Sequence, residues 1–223
     1  MSDICIKICG LSKPDTLEAA LAAGADMIGL VSFPKSPRHV DLDAMTQLAE
    51  QARGRAQIVI LTVNADDELL ASLNKAVHPD WWQFHGREDI TRIETVQARF
   101  GRPVMKAVGV GSPEDVAIAN QFANVADRLL LDAKPPKTAT RPGGLGEVFD
   151  WTILQSLDPN VAFMLSGGLN PTNVADALAS THAGGVDVSS GVESAPGVKD
   201  KVLIEAFIAN VRSISDHSKR TAL

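Results

Sequence analysis

One feature constrains this chain more than any other: short β-branched runs alternate with amphipathic stretches, eight times over. Ile4 to Ile8 reads as a first strand and Pro14 to Ala23 as the helix after it, with Pro14 in the opening turn and Gly24 closing the last. Met27 to Val31 and Leu42 to Ala52 make a second pair, and Gln57 to Thr62 with Asp66 to Ala76 a third. Trp82 to Phe84 and Glu88 to Phe100 form the fourth, Val104 to Val108 and Pro113 to Phe122 the fifth. Arg128 to Leu131 is a sixth strand, separated by a long polar loop from a short helix near Trp151 to Leu157. Phe163 to Leu165 with Pro171 to Ala179, and Val186 to Val188 with Asp200 to Arg212, complete the series. Strand–helix units repeated this way imply a parallel sheet with right-handed crossovers. Eight of them in 223 residues fit an α/β protein of one domain, a (β/α)8 TIM barrel over residues 1–212. The polar tail after Ser213 is expected to fray. An open doubly wound sheet is the alternative. Nothing marks a strand-order switch, however, and Gly109-Val-Gly111-Ser-Pro113 lacks the third glycine and the later acid of a dinucleotide fingerprint.

Composition narrows the class of partner. The chain is 45% apolar, and a single domain of this size buries roughly 70% of its unfolded surface. A net charge of −6 argues against nucleic acid, which needs a basic face. No apolar stretch reaches the roughly 20 residues of a membrane span, and the start MSDICIKICG is no signal peptide. A cytoplasmic protein that handles a small-molecule substrate is expected, and the acidic surface and ordinary length point to a monomer. Cys5 and Cys9 on one strand would stand roughly 13 Å apart, beyond the ~7 Å that a disulfide tolerates. Free thiols suit a reducing compartment. Five scattered histidines without CxxC or HExxH spacing give no metal-site pattern, so neither metal nor cofactor is expected.

In such a barrel, chemistry sits where strands end and βα loops begin. On the first strand Ile4, Ile6 and Ile8 share the helix-facing side, while Cys5, Lys7 and Cys9 share the interior. Cys9 ends the strand and points into the mouth, as a reactive thiol or simply as a small buried hydrophobe. Lys7 inside the barrel needs a counter-charge, and Asp187 on the neighbouring eighth strand is the expected one. Asp132 closes the apolar run Leu129-Leu-Leu-Asp132, either capping the loop or serving as an acid tuned by its apolar setting. Two glycine loops suggest a phosphate grip: Ser166-Gly-Gly-Leu-Asn-Pro171, with Gly167, Gly168 and Asn170, and Ser189-Ser-Gly-Val-Glu193, with Ser189, Ser190 and Gly191. Loops seven and eight are the usual phosphate site of these barrels, aided by a helix N-terminus. Arg38, in Pro34-Lys-Ser-Pro-Arg38-His, is placed to hold a carboxylate bidentately. His85, in Phe84-His-Gly86, either lines the site with a hydrogen bond or packs its loop.

Six motifs occur in one order: Lys7-Ile-Cys-Gly10; Phe33-Pro-Lys-Ser-Pro-Arg38; Gln83-Phe-His-Gly86; Leu131-Asp132 with the later Gly143-Gly-Leu-Gly146 and Phe149-Asp-Trp151; Leu165-Ser-Gly-Gly-Leu-Asn-Pro171; and Asp187-Val-Ser-Ser-Gly-Val-Glu193. Together they resemble the phosphoribosylanthranilate isomerase family of tryptophan biosynthesis, from about residue 4 to residue 200. The resemblance implies a cofactor-free Amadori rearrangement of an aminoaldose to an aminoketose. It gives Asp132 the part of general acid, opening the furanose ring, and Cys9 that of general base, removing the C2 proton. Arg38 would face the anthranilate carboxylate, and the glycine loops, with Gly143 and Gly144, would surround the phosphate and the rest of the substrate. The family often carries serine or threonine at position 145 and lysine at 147, where this chain has Leu145 and Glu147. The rival readings are another sugar-phosphate barrel enzyme, such as indole-glycerol-phosphate synthase or ribulose-phosphate epimerase, and a non-catalytic phospho-ligand-binding barrel. The synthase would bring a catalytic lysine–glutamate set, the epimerase metal ligands at strand ends. A pure binder would have no reason to keep Cys9 and Asp132 together.

Overall fold

The computed structural model describes residues 4–134 and 149–221, with side chains up to residue 214. Eight strands, β1 Cys5–Cys9, β2 Met27–Ser32, β3 Gln57–Thr62, β4 Trp81–Phe84, β5 Val104–Val110, β6 Arg128–Ala133, β7 Phe163–Leu165 and β8 Gly185–Val188, form a closed barrel in sequence order. Each pairs in parallel with the next, and β8 returns to β1 with Lys7 opposite Asp187. That closure makes the expected TIM barrel and disposes of the open doubly wound sheet. The helices are α1 Pro14–Ala23, α2 Leu42–Ala52, α3 Asp67–Val77, α4 Ile90–Phe100, α5 Pro113–Phe122, α6 Val174–Ser180 and α7 Lys201–Thr221, with a 3₁₀ helix Trp151–Ser156 between β6 and β7.

Local chemistry explains where boundaries differ from the periodic pattern. Helices α3 and α4 begin one and two residues later than the pattern suggests, because Asp66 and Asp89 are their N-caps, accepting from the backbone N–H of Leu69 and Arg92. Helix α6 starts at Val174 rather than Pro171, since Asn170 Oδ1 accepts from the N–H groups of Thr172 and Asn173 and holds that stretch as a turn. Strand β6 runs on through Asp132, so this carboxyl belongs to the barrel ladder itself. Helix α7 continues past Arg212 to Thr221. The pattern also missed an antiparallel hairpin, β9 Glu193–Ala195 and β10 Val198–Lys199, turned by Pro196 and Gly197.

The alternation on β1 divides its side chains as expected: Ile6 and Ile8 pack among the helices, while Cys5, Lys7 and Cys9 face inward. The lower interior is filled by Met27, Val59, Met105, Ala107, Leu130 and Met164, and the upper by Cys9, Val31 and Leu61. Between these layers on β1 stands Lys7, fully buried.

A second buried ion pair braces the mouth from outside the barrel. Lys106 Nζ donates to Glu88 at 2.9 Å and to the carbonyl of Gly86 at 2.7 Å. The Glu88 carboxylate also accepts the backbone N–H of Asn64 and of Gly86, tying the loops after β3 and β4 to β5. Glu88→Ala would strand the Lys106 ammonium and release two further bonds, so a loss of about 3–5 kcal/mol is expected, read as a lower urea midpoint.

Candidate active site

At the end of β1 the Cys9 thiol is buried and adjoins Lys7: a Cβ built on Gly29 of β2 would lie 2.8 Å from Cys9 Sγ and 3.1 Å from Lys7 Nζ. The glycine is what leaves these two groups room to converge. Lys7 Nζ donates to Asp187 Oδ1 at 2.7 Å, the counter-charge anticipated from the pattern. Ser166 Oγ donates to the other oxygen of Asp187 at 3.3 Å. Burial pulls the Lys7 ammonium toward neutrality, but Asp187 and Cys9 carry its pKa above the ordinary lysine value. Burial pushes the Cys9 thiol up, and Lys7 is the main influence in the opposite direction.

On β6, Asp132 is buried, and its Oδ1 accepts the N–H of Ala133 at 2.9 Å. Its Oδ2 lies 3.4 Å from His85 Nε2. The Gln83 amide, from β4, is placed with Nε2 3.3 Å from His85 Nδ1. That contact turns the Nε2 edge of the ring toward the carboxyl. His85 thus stands beside Asp132 at the barrel mouth.

Arg38 follows β2 and is 4% exposed. The bidentate grip foreseen for a ligand carboxylate is made to Glu193 of β9, Nε–Oε1 at 2.6 Å and Nη2–Oε2 at 2.8 Å. Lys199 of β10 donates to Glu193 Oε1 at 2.7 Å and to the carbonyl of Ser189 at 2.8 Å. Ser189 Oγ in turn donates to the carbonyl of Cys9 at 3.1 Å. Burial pushes the Glu193 carboxyl up, yet the hydrogen bonds and charges of Arg38 and Lys199 outweigh it and hold it below the usual range. Burial lowers the Lys199 ammonium by more than Glu193 restores.

The two glycine loops meet. Gly167 and Gly168 both adopt left-handed backbone, at φ 83° and 64°. Gly191, in the 3₁₀ turn Ser190–Val192, lies so close to the other loop that a Cβ there would fall 1.8 Å from the carbonyl oxygen of Leu169. Asn170 turns its carboxamide oxygen back to Thr172 and Asn173, so it shapes its loop. Helix α6 starts six residues beyond Gly168, and the 3₁₀ turn Ser190–Val192 opens directly after Ser189 in the second glycine loop. Gly143 and Gly144, with Leu145 and Glu147, lie outside the described residues.

The model of the N-(5'-phosphoribosyl)anthranilate (PRA) isomerase family matches residues 6–210. The chain belongs to that family. An N-(5'-phosphoribosyl)anthranilate isomerase of Bradyrhizobium diazoefficiens is 55% identical over 218 residues, 98% of each chain. One from Rhodopseudomonas palustris (strain BisA53) is 58% identical, covering 93% of this chain and 95% of its own. The crystal structure of the Thermotoga maritima enzyme superposes with a TM-score of 0.84 at 32% identity, covering 94% of this chain and 99% of that one. A phosphoribosyl anthranilate isomerase crystallised with reduced 1-(o-carboxyphenylamino)-1-deoxyribulose 5-phosphate matches at a TM-score of 0.81 and 30% identity, over 94% and 99% of the two chains.

Of the residues singled out from the family pattern, Cys9, Asp132, His85, Gly167, Gly168 and Ser189 to Gly191 all stand at strand ends on the one mouth. Lys199 was overlooked, although Pro196-Gly197 between Ala195 and Val198 is a turn signal that would have drawn it back toward Glu193. Because the folded Glu193 carboxyl is depressed, its contribution to stability is complete above the ordinary glutamate value near 4.3 and lost as pH falls through the folded value. Thermal unfolding followed from neutral to acid pH should therefore show a steeper decline for the unaltered protein than for Glu193→Gln.

Proposed function

We propose that this chain isomerises N-(5'-phosphoribosyl)anthranilate to 1-(2-carboxyphenylamino)-1-deoxyribulose 5-phosphate in tryptophan biosynthesis, with Asp132 as general acid and Cys9 as general base. The observation that carries this reading is the pairing of a buried thiol beside an ammonium with a buried carboxyl beside an imidazole, on β1 and β6 of one barrel mouth. Asp132, in its protonated form, gives a proton to the furanose ring oxygen, and the C1–O bond opens to a Schiff base. The Cys9 thiolate then takes the proton from C2, and the electron pair neutralises the iminium nitrogen to give an enolamine. Tautomerisation of the enolamine yields the ketone. Only protons move, so an acid and a base suffice.

The same geometry supports a doubly anionic substrate. Arg38 and Lys199 both pair with the one carboxylate of Glu193, a basic cluster within an acidic protein. We assign Arg38 to the anthranilate carboxylate as part of this cluster. The phosphate is assigned to the backbone around Gly167, Gly168, Ser189, Ser190 and Gly191, where glycines allow close approach of N–H groups. Among the described residues the large exposed apolar side chains Leu42, Leu69, Ile118, Val198 and Val202 are spread over α2, α3, α5, β10 and α7, and on this we infer a monomer. The cytoplasm suits free thiols at Cys5 and Cys9.

Phosphoribosylanthranilate made in situ from anthranilate and phosphoribosyl pyrophosphate, with its fluorescence followed as this protein is added, tests the reading. Fast decay with the unaltered chain and a fall of about 10²–10⁴-fold in kcat for Cys9→Ala and for Asp132→Ala are expected. Turnover that survives Cys9→Ala would remove the base assignment and keep the reaction. A folded chain that gives no acceleration at all would reject the isomerase.

A further inference from the structure

An ammonium–carboxylate pair in the closed interior of a barrel is an expensive object. Those positions are ordinarily filled by layers of branched apolar residues, and removing two charges from water is only partly repaid by their attraction. Here the layer beneath is apolar and complete without them, built from Met27, Val59, Met105, Ala107, Leu130 and Met164. Packing alone gives no reason for Lys7 and Asp187.

The reason lies above the pair. Asp187 is fixed at both oxygens, Oδ1 by Lys7 at 2.7 Å and Oδ2 by the Ser166 hydroxyl at 3.3 Å. A lysine has three protons to donate; one is spent on Asp187, and the ammonium stands on the same side as the Cys9 thiol, both within about 3 Å of where a Cβ on Gly29 would lie. The arrangement repeats the logic of an activated side chain held by a partner that a third group orients. We propose that Lys7, held by Asp187, is a positioning residue that stabilises the thiolate of Cys9 and so equips it to remove the C2 proton; this rests on the base assignment above. The other groups facing Cys9 are Asp187 from β8, which disfavours the thiolate, and Lys199 from β10, which favours it. Arg38, from the loop after β2, adds a further positive charge close to Lys199. Burial works against all of the cations, and Lys7 is the strongest of them.

The test separates an electrostatic part from a merely structural one. Replacing one partner alone would strand the other, so both are removed together, as Lys7→Met/Asp187→Leu, in a Cys5→Ala background that leaves Cys9 as the single thiol. The readout that does not depend on turnover is the rate of Cys9 alkylation by iodoacetamide against pH. An opposite charge at this range moves a pKa by about 1–3 units, part of it cancelled here by losing Asp187 as well, so the alkylation midpoint should rise by about one unit or more. Near neutral pH kcat should fall about tenfold for each unit of that rise and recover as pH is raised, while KM stays within about threefold. If the double variant does not fold, Lys7→Gln/Asp187→Asn, which keeps the volume, is read by the same criteria. A folded variant with an unmoved midpoint, or with a loss of kcat that is equal at every pH, overturns the proposal. A raised midpoint in a protein whose Cys9→Ala variant still turns over normally overturns it by another route, through the base assignment.

Discussion

The barrel is closed at a seam between its first and last strands, and one half of the candidate site is built on that seam. Strands β1 and β8 pair in parallel with Lys7 opposite Asp187, and the salt bridge inside the barrel joins residues 180 positions apart. One turn higher, Ser189 reaches back to the Cys9 carbonyl across the same seam. Closure thus does two things at once. It removes the barrel's own free edges, and it brings the thiol, the ammonium and the glycine loop after β8 into a single neighbourhood.

The opposite wall is simpler in design. Asp132, His85 and Gln83 come from β6 and from the end of β4, with the imidazole oriented by an amide. The two halves of the mouth therefore use different physics. On one side a fixed cation opposes the desolvation of a thiol, and on the other an imidazole faces a carboxyl. Sites that must both give and take a proton near neutral pH benefit when the environments of the two groups are distinct in this way.

Much of this was legible in the sequence because it depends on short-range periodicity. Ile4, Ile6 and Ile8 alternating with Cys5, Lys7 and Cys9 is enough to assign sides of a strand, and eight strand–helix units are enough to count a barrel. Even the Lys7–Asp187 contact followed from the need of a buried charge for a partner on the adjacent strand. The partner of Arg38 did not, because Glu193 lies 155 residues away and a guanidinium has no preference between an internal and an external carboxylate. The acid and base roles proposed for Asp132 and Cys9 rest on resemblance to a family; an aspartate closing an apolar run is equally a loop cap. The start of α6 was misread because Asn170 and Asn173 make a turn whose hydrogen bonds are local and leave no trace in hydrophobic spacing.

The layer of Met27, Met105, Met164 and their neighbours beneath Lys7 is wholly or almost wholly screened from solvent. It acts as a dry floor under the ion pair, so protons reach the Cys9–Lys7–Asp187 chain from the mouth rather than from below. A ligand seated in that mouth would then plug the conduit while it reacts. With the apolar layer below and a ligand above, the ion pair would be shut off from water on both sides, and its field would act on that ligand with little screening.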